Sequence, residues 1–397
     1  MATLTFAQAR ACVLAKVAEA RPTPATEVVP LLEGAGRVIA ESIPADRDYP
    51  PFSRSARDGF AVRAADLPGE LRIIGEVRAG EIFDGQVKAG EALEIMTGAP
   101  LPDGADSVVM VEQVKVTGDR VTVSRTLTAG ENVSPRGCEA RRGETLIEPG
   151  HGLGFAEIAL VAAVGRSRIS VYHKPRVAIV ATGDEIVEVD EKPRDYQIRN
   201  SNAQSLAVQV TRAGGCPHVL PVARDVYEAT REIVEQGLRD DLLLLSGGVS
   251  AGKYDIVERV LADFGAEFFF DRVAIQPGQP LVFGRAQGKF FFGLPGNPAS
   301  TMVTFEVFAR AALELLGGRT ESMLPLLSAK LTRDFRQKPG LTRFLPALVS
   351  ENGSEVTPVR WQGSGDVAAL ARANAFLVTE PDREQWPAGD WVKVLMK

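Results

Sequence analysis

The stretch that decides the fold runs from Asp241 to Ser300, where two apolar strands each end in a glycine-rich turn. The first reads DLLLLSGGVSAGKYD over residues 241–255, and the second reads FFFGLPGNPAS over residues 290–300. A strand that stops at such a turn before a helix leaves backbone N–H groups unpaired, a geometry that suits phosphate or another oxyanion. Two of these turns in one chain predict a ligand that carries several negative charges.

The region around these turns alternates between strand and helix patterns. The strand pattern RVAIVA at 176–181 precedes the helix pattern SNAQSLAVQV at 201–210, and the alternation continues to Gly318. Runs such as LLLL and FFF, apolar at every position, are typical of strands covered on both faces. We therefore expect a three-layer α/β/α domain with a mostly parallel sheet.

The regions on either side of this α/β part have different sequence patterns. Residues 50–143 contain short β-like runs separated by Gly and Asp-Gly turns, and residues 321–397 are β-rich again. Residues 6–20 have the apolar spacing of a helix. A chain of 397 residues is also too long for one core. The sequence therefore predicts a multidomain α/β and β protein.

Composition excludes several classes of protein. The net charge of −6 gives no indication of a nucleic-acid partner. No apolar run approaches the ~20 residues of a membrane span, and no secretory signal pattern is present at the N-terminus. The 3 cysteines and 3 histidines are scattered, which argues against disulfides and a zinc site. A cytoplasmic enzyme with hard-ion or metal-free chemistry fits these numbers best.

Acidic residues follow several of the predicted strands. Glu185, Asp225 and Asp255 come after strand ends, and ligands gather at the carboxyl ends of parallel strands. Three carboxylates beside two oxyanion turns predict Mg²⁺ bridging a phosphorylated ligand. The alternative is that these acids are helix caps or solvated surface groups.

Each motif alone is of limited specificity. SGGVSAG is neither a Walker loop nor a Rossmann fingerprint, and an ordinary tight turn is an equal alternative. In LPGNP the two prolines stiffen the loop, and we expect Asn297 to cap the following helix. Asp58-Gly59 and Thr97-Gly98, taken alone, predict plain turns.

The combination of motifs resembles the MoeA family of molybdopterin molybdenumtransferases and the related E domain of gephyrin. The resemblance rests on PPFSRSARDGFAV, IMTGAPLPDGADSVVMVEQV, ATGDE, SGGVSAGKYD, IQPGQPLVFG, GLPGNPAS and WQGSGDVAALARANAF, in that order along nearly the whole chain.

This resemblance implies four parts: a helical linker domain (1–49 and 144–174), a β-rich inserted domain (50–143), an α/β molybdopterin-binding domain (175–320) and a C-terminal β-barrel domain (321–397). It also implies a homodimer with the active site across the interface. The implied reaction inserts molybdate into adenylyl-molybdopterin, with Mg²⁺ as cofactor, and yields molybdenum cofactor and AMP. The adenylylating protein and molybdoenzyme chaperones are the further partners it suggests.

The family's functional residues are carried over by motif. The resemblance assigns catalytic roles to Asp58, Thr97, Glu185, Asp225 and Asp255, of which Asp58 and Thr97 would come from the partner subunit. The implied metal ligands are Glu185, Asp225 and Asp255. The predicted binding residues, which would contact the adenylyl or pterin phosphate, are Gly183, Ser246, Gly247, Gly248, Ser250, Pro295, Gly296, Asn297 and Pro298.

The chain also departs from the family pattern. Where relatives have two lysines in K-P-G-K-P, this chain has Gln276-Pro277-Gly278-Gln279-Pro280, and Arg343 stands where they commonly have an acid. Neutral amides bind a dianion less strongly than ammonium groups do. The candidate cations for compensation are Arg54, Arg57, Arg272 and Arg343.

Other functions are left open by the sequence. A diverged paralogue with weak molybdate affinity is one alternative to a compensated anion site. A molybdopterin adenylyltransferase and a non-catalytic scaffold of the same fold are the alternatives to molybdate insertion.

Overall fold

The computed structural model describes residues 2–248 and 256–397, so the predicted site residues Ser250 and Asp255 lie outside the described part. A six-stranded sheet forms the centre of the structure. Its strands, in spatial order, are Cys216–Val219, Arg176–Ala181, Leu242–Ser246, Lys289–Leu294, Pro280–Ala286 and Glu267–Arg272. The first four are parallel, as predicted, whereas the last two pair antiparallel, which makes the sheet mixed.

Apolar residues cover both faces of this sheet. Val177 and Ile179 face a core shared with the helices Phe6–Ala20 and Ser201–Arg212, and the helical segment 298–316 completes that layer. Alternate residues such as Ala178 and Val180 face the helices Tyr227–Gly237 and Ile256–Asp263. Because strand side chains alternate between faces, an all-apolar strand needs a layer on each side. The predicted three-layer α/β/α arrangement is confirmed.

The region predicted to be β-rich contains a second six-stranded sheet. Its strands, in spatial order, are Ser107–Met110, Gly59–Val62, Glu91–Ile95, Gly69–Val77, Arg120–Val123 and Val114–Thr117. Two small antiparallel ladders each join a segment that precedes this sheet in sequence to a segment that follows it. They pair Ile43–Pro44 with Thr145–Ile147, and Thr26–Pro30 with Arg168–Tyr172. The helix Phe155–Ala163 packs in the same cluster as the second ladder.

The C-terminal region closes into a barrel of five strands. They follow one another around the barrel as Thr342–Val349, Glu355–Pro358, Leu326–Leu331, Trp391–Met396 and Ala375–Thr379, and the last pairs back with the first. The short strand Ile275–Gln276 adds to Thr342–Arg343 in parallel and so joins the barrel to the α/β unit. The predicted barrel is confirmed, whereas the positions of the domain boundaries stay predictions.

The remaining elements are short. They are the helix Val367–Arg372, the 3-10 turns Leu31–Gly34, Ala64–Asp66 and Val111–Gln113, and the two-stranded ladders Arg54–Ser55 with Val133–Ser134, Ile186–Val187 with Ile198–Arg199, and Phe335–Arg336 with Gln385–Trp386. Within the segment 298–316, α-helical Pro298–Thr304 and Arg310–Leu316 flank a π-helical turn at Phe305–Ala309. None of the helices in the described ranges combines the length and apolar character that crossing a membrane requires.

Candidate functional site

A cavity of about 690 Å³ lies at the carboxyl ends of the parallel strands. The cross-strand register aligns Ala181 with Ser246 and Ser246 with Leu294, so three strands end in one row. Thr182, the Ser246–Gly248 turn and the Pro295–Pro298 loop, which follow those ends, line the cavity. This is the edge at which open α/β sheets bind ligands. The two predicted oxyanion turns therefore lie in one site.

The first turn can be made only with glycine. Gly247 and Gly248 have φ angles of +92° and +63°. A Cβ on Gly247 would lie 2.7 Å from the carbonyl oxygen of Thr182, and one on Gly248 would lie 2.6 Å from the Thr182 hydroxyl. Side chains are excluded on both steric and backbone grounds, so the main chain itself faces the cavity.

The second turn is held by the helix that follows it. The hydroxyl of Thr301, which is fully buried, donates to the carbonyl oxygens of Pro295 and Asn297. Asn297 is the N-cap residue, but its side chain makes no capping hydrogen bond, so the predicted cap is wrong in that respect. One of the two N–H groups that such a cap could bind, that of Ala299, donates instead to the carbonyl oxygen of Ser364, at 2.9 Å. The amide of Asn297 is left exposed in the cavity wall.

One buried amide, which the sequence interpretation missed, connects the two turns. Asn202 donates from Nδ2 to the hydroxyl of Ser246 at 2.8 Å and to the carbonyl oxygen of Gly296 at 2.7 Å. Among the described residues, its buried side-chain oxygen has no hydrogen-bond donor, and the buried hydroxyl of Thr182, which also lines the cavity, has no partner either. The sequence contains one signal for this role, because it has two asparagines, Asn200 and Asn202, at the start of this helix. Asn200 is the cap, since it accepts from the N–H of Ala203, so Asn202 is left for another function.

The structure describes two of the three acids predicted at the sheet edge, Glu185 and Asp225, whereas Asp255 lies outside the described residues. Glu185 lines the cavity, whereas Asp225 is absent from its wall and donates its backbone N–H to Asp184. A parallel bridge between Thr182 and Ala223 continues the pairing of the strand Cys216–Val219 with its neighbour, so Asp225 follows at the same edge of the sheet, beside Asp184. Within 2–248 and 256–397, no three His, Cys, Asp or Glu side chains form a metal-binding group.

Asp58 and Thr97 form a pair of their own. Their strands are neighbours, with Gly59 opposite Ile95, and Asp58 accepts from the Thr97 N–H at 2.6 Å and from its hydroxyl at 2.8 Å. Both hydrogen bonds stabilise the ionised carboxylate and lower the pKa of Asp58. Neither residue lines the cavity of its own chain.

Another part of the cavity wall comes from the barrel and from the segment that joins it to the α/β unit. Gln276 to Pro280, Leu341, Trp361 and Ser364 contribute to it. Of the four candidate compensating cations, Arg343 contacts the lining residue Gln276, whereas Arg54 forms an ion pair with Glu139. Arg199, which the sequence interpretation also missed, lines the cavity directly. Arg199 reaches the cavity because the short strand Ile198–Arg199 pairs with Ile186–Val187, which follows the Asp184–Glu185 turn. This pairing between separate segments is not visible in the local sequence.

A cavity lined by glycine and proline turns at the sheet edge, next to a closed barrel, defines a multidomain α/β protein with a candidate site for an anionic ligand. Three family descriptions match successive parts of the chain: MoeA N-terminal region (domain I and II) over residues 4–165, probable molybdopterin binding domain over 178–315, and MoeA C-terminal region (domain IV) over 328–397.

Individual relatives match along the whole chain. The molybdopterin molybdenumtransferase of Staphylococcus aureus strain Mu50 is 32% identical over 378 residues, which covers 93% of this chain and 90% of the relative. The crystal structure of the molybdopterin biosynthesis MoeA protein of Pyrococcus horikoshii OT3 superposes with a TM-score of 0.80 at 29% identity and covers 100% of both chains. The chain belongs to the MoeA family, that of the molybdopterin molybdenumtransferases, and the predicted resemblance is confirmed.

The amide that connects the two turns can be tested through stability. We expect Asn202→Ala to lower the free energy of unfolding by about 1–3 kcal/mol, because it leaves a buried hydroxyl and a carbonyl without their donor. Urea denaturation measures the change. The matched control is Gln204→Ala, an exposed amide of the same helix, which should stay within about 0.5 kcal/mol of the wild type. Equal effects of the two substitutions would contradict the proposed connection.

The Asp58–Thr97 pair predicts a pH-dependent effect. We expect Thr97→Val to raise the pKa of Asp58 partway to its usual value, because the hydroxyl donor is lost and the backbone donor stays. The stabilisation is fully present above the unfolded-state pKa of about 3.9 and is lost as the pH falls through the lower folded-state pKa. NMR titration of ¹³C-labelled aspartate carboxyls measures the shift. Thr97→Ser should keep the wild-type pKa, and an unchanged pKa in Thr97→Val would refute the assignment.

Proposed function

We propose that this chain inserts molybdate into adenylyl-molybdopterin and releases molybdenum cofactor and AMP. The observation that carries the proposal is the convergence of two main-chain turns, Ser246–Gly248 and Pro295–Pro298, on one cavity in a chain of the MoeA family. The relatives bear the name molybdopterin molybdenumtransferase. A substrate with a pterin phosphate and a nucleotide phosphate matches two sites that suit oxyanions.

The described residues bind and orient such a substrate. The main chain of Gly247 and Gly248 approaches the phosphates without side-chain interference, and Asn202 fixes the spacing between the two turns. Asn202 and Thr182 both line the cavity, and within the described ranges the Asn202 oxygen and the Thr182 hydroxyl have no hydrogen-bond partner of their own. Because these groups are already in place before the ligand arrives, little reorganisation accompanies binding.

A divalent cation fits this arrangement. Mg²⁺ is usually bound by one or two carboxylates together with ligand phosphates and water, so a complete protein cage is not needed. Glu185 lines the cavity beside the turns. We propose Glu185 as one ligand, with Asp225 and Asp255 as the further candidates. Bound Mg²⁺ would supply positive charge to the phosphate oxygens as AMP leaves.

The Asp58–Thr97 pair fits a site shared between subunits. We propose that the chain works as a homodimer in which this pair completes the cavity of the partner. The support is that Asp58 and Thr97 are hydrogen-bonded to each other, yet neither residue lines the cavity of its own chain. Action in the cytoplasm, alongside the adenylylating protein and molybdoenzyme chaperones, is part of the same proposal.

The proposed reaction is tested with purified protein, adenylyl-molybdopterin, molybdate and Mg²⁺. We expect AMP release together with cofactor that activates an apo-molybdoenzyme. Chelation of Mg²⁺ should abolish AMP release, because the phosphate charge is then not neutralised, and added Mg²⁺ should restore it. AMP release that continues in excess chelator would contradict the role of the metal. No AMP release under any condition would contradict the function.

The shared site is tested by mixing two inactive variants. Asp58→Asn and Glu185→Gln chains should each be inactive as homodimers, whereas mixed dimers contain one intact site. After random exchange, about a quarter of the wild-type activity is expected, because half of the dimers are mixed and each has one good site. Each variant mixed with wild-type chains serves as the exchange control. A mixture that stays inactive would contradict a site built from both subunits.

A further inference from the structure

A second cavity, of about 270 Å³, lies where the ladder of Thr26–Pro30 with Arg168–Tyr172 meets the α/β unit. Its walls are the segments 36–38 and 172–175, the end of the helix Ser201–Arg212, and the last part of the helical segment 298–316 with the residues that follow it. Among the residues that the structure describes, it shares none of its lining with the cavity at the strand ends. It is therefore a separate concavity.

The wall of this cavity is strongly positive. Five lysine or arginine side chains and two glutamates line it, which gives a net charge of +3 with His173 neutral, on a chain whose net charge is −6. The five cations are Arg37, Lys174, Arg212, Arg310 and Arg319, and the concavity that they line is called here the cationic cavity. They come from four separate parts of the sequence, so only the fold brings them together. Like charges on one concave wall repel each other, and a bound anion relieves that repulsion.

The two glutamates of the cationic cavity already have partners. Arg310 lies between them on its helix: Nη1 donates to Oε2 of Glu306 at 3.4 Å, and Nε donates to Oε1 of Glu314 at 2.9 Å. The other two carboxylate oxygens accept hydrogen bonds from Gln209, at 2.8 Å, and from Ser322, at 2.5 Å. Both acids are therefore held toward Arg310 and its neighbours, and neither forms an ion pair with another cation of the wall.

Three cations of the wall have no acid partner. Within the described ranges, Lys174, Arg212 and Arg319 form no ion pair, and their side chains make no hydrogen bond. Arg37 differs from them, because its Nη2 pairs with Glu27 and donates to the carbonyl oxygen of Tyr172 at 2.8 Å. The donors of the three unpaired cations are thus free to bind a ligand in the cationic cavity.

We propose that the cationic cavity binds a small oligophosphate, pyrophosphate or the phosphate tail of a nucleotide, through Lys174, Arg212 and Arg319. A guanidinium presents paired N–H donors that match two phosphate oxygens, and an ammonium group adds a compact positive charge. Three cations without acids match an anion with several charges. The volume of about 270 Å³ lies below the ~300–1,000 Å³ typical of pockets for drug-sized ligands, which favours a small anion. This site is additional to the one proposed for molybdate insertion.

The test is calorimetric titration of sodium pyrophosphate into the full-length protein, in a buffer without phosphate or Mg²⁺. We expect one equivalent per chain to bind about tenfold or more weakly in the double variant Arg212→Gln/Arg319→Gln, because two charged donors are lost. Counting equivalents separates this cavity from the strand-end cavity, whose turns also suit oxyanions. The matched control, Arg166→Gln/Arg239→Gln, removes the same charge from exposed positions outside both cavities and should bind like the wild type.

Thermal unfolding gives a second readout. Pyrophosphate should raise the unfolding temperature of the wild type and the control more than that of the double variant, because a ligand stabilises the folded state that binds it. Without ligand, the double variant should unfold at the wild-type temperature, since the lost cations take part in no ion pair. Lys174→Gln, a single change on another wall of the cavity, should also weaken the same equivalent of pyrophosphate.

Titrations with sodium phosphate and ATP identify the class of anion. Phosphate should bind about tenfold or more weakly than pyrophosphate, because it reaches fewer of the cations. ATP binding that the double variant weakens would identify a nucleotide tail as the ligand, and ATP binding that it leaves unchanged would identify free pyrophosphate.

Three results would overturn the proposal: a wild type that binds neither pyrophosphate nor ATP, equal pyrophosphate binding by the double variant and the control, or phosphate bound as tightly as pyrophosphate. Molybdate insertion is judged separately by AMP release, which the double variant should retain at the wild-type rate. Absence of AMP release from the wild type would contradict the proposed function and leave the cationic cavity unaffected.

Discussion

The parallel register across Ala181, Ser246 and Leu294 is the constraint on which the site depends. Because the three strands end in one row, the turns that follow them lie side by side, although they are far apart in sequence. The strands stay in this register because each is apolar on both faces and is covered by helices on both sides. A one-residue slip would reverse the faces of every side chain in the strand. The core therefore determines where the main-chain donors of the site are placed.

Groups around the cavity are costly for stability. Gly247 and Gly248 adopt φ angles that favour glycine, and the buried Asn202 oxygen and Thr182 hydroxyl have no partner in the part of the chain that the structure describes. Arg343 adds a buried cation that forms no ion pair with any acid in the described ranges. Elsewhere such features would be selected against, since each removes a group from water without full compensation. These groups lie around one cavity, the candidate site for an anionic ligand, where backbone strain and unpaired polar groups are often found.

The barrel takes part in the site as well as in the fold. The carbonyl oxygen of Ser364 accepts a hydrogen bond from the N–H of Ala299 at the start of the helix. Gln276, on the short strand that joins the two units, is the register partner of Arg343 on the barrel. The second turn and the barrel are thus fixed to each other by hydrogen bonds. Movement between them would change both the Pro295–Pro298 loop and the orientation of the Gln276 amide.

Local sequence determined the elements and the main-chain turns. All-apolar runs are a property of individual strands, so they predicted the covered sheet, and the glycines and prolines identified both turns. The motifs also led to the right family. What the tertiary structure decided is which side chains meet. The role of Asn202, the contact of Asp225 with Asp184 and the Arg343–Gln276 contact depend on how separate segments pack. No short stretch of sequence encodes a distance between residues that lie far apart along the chain.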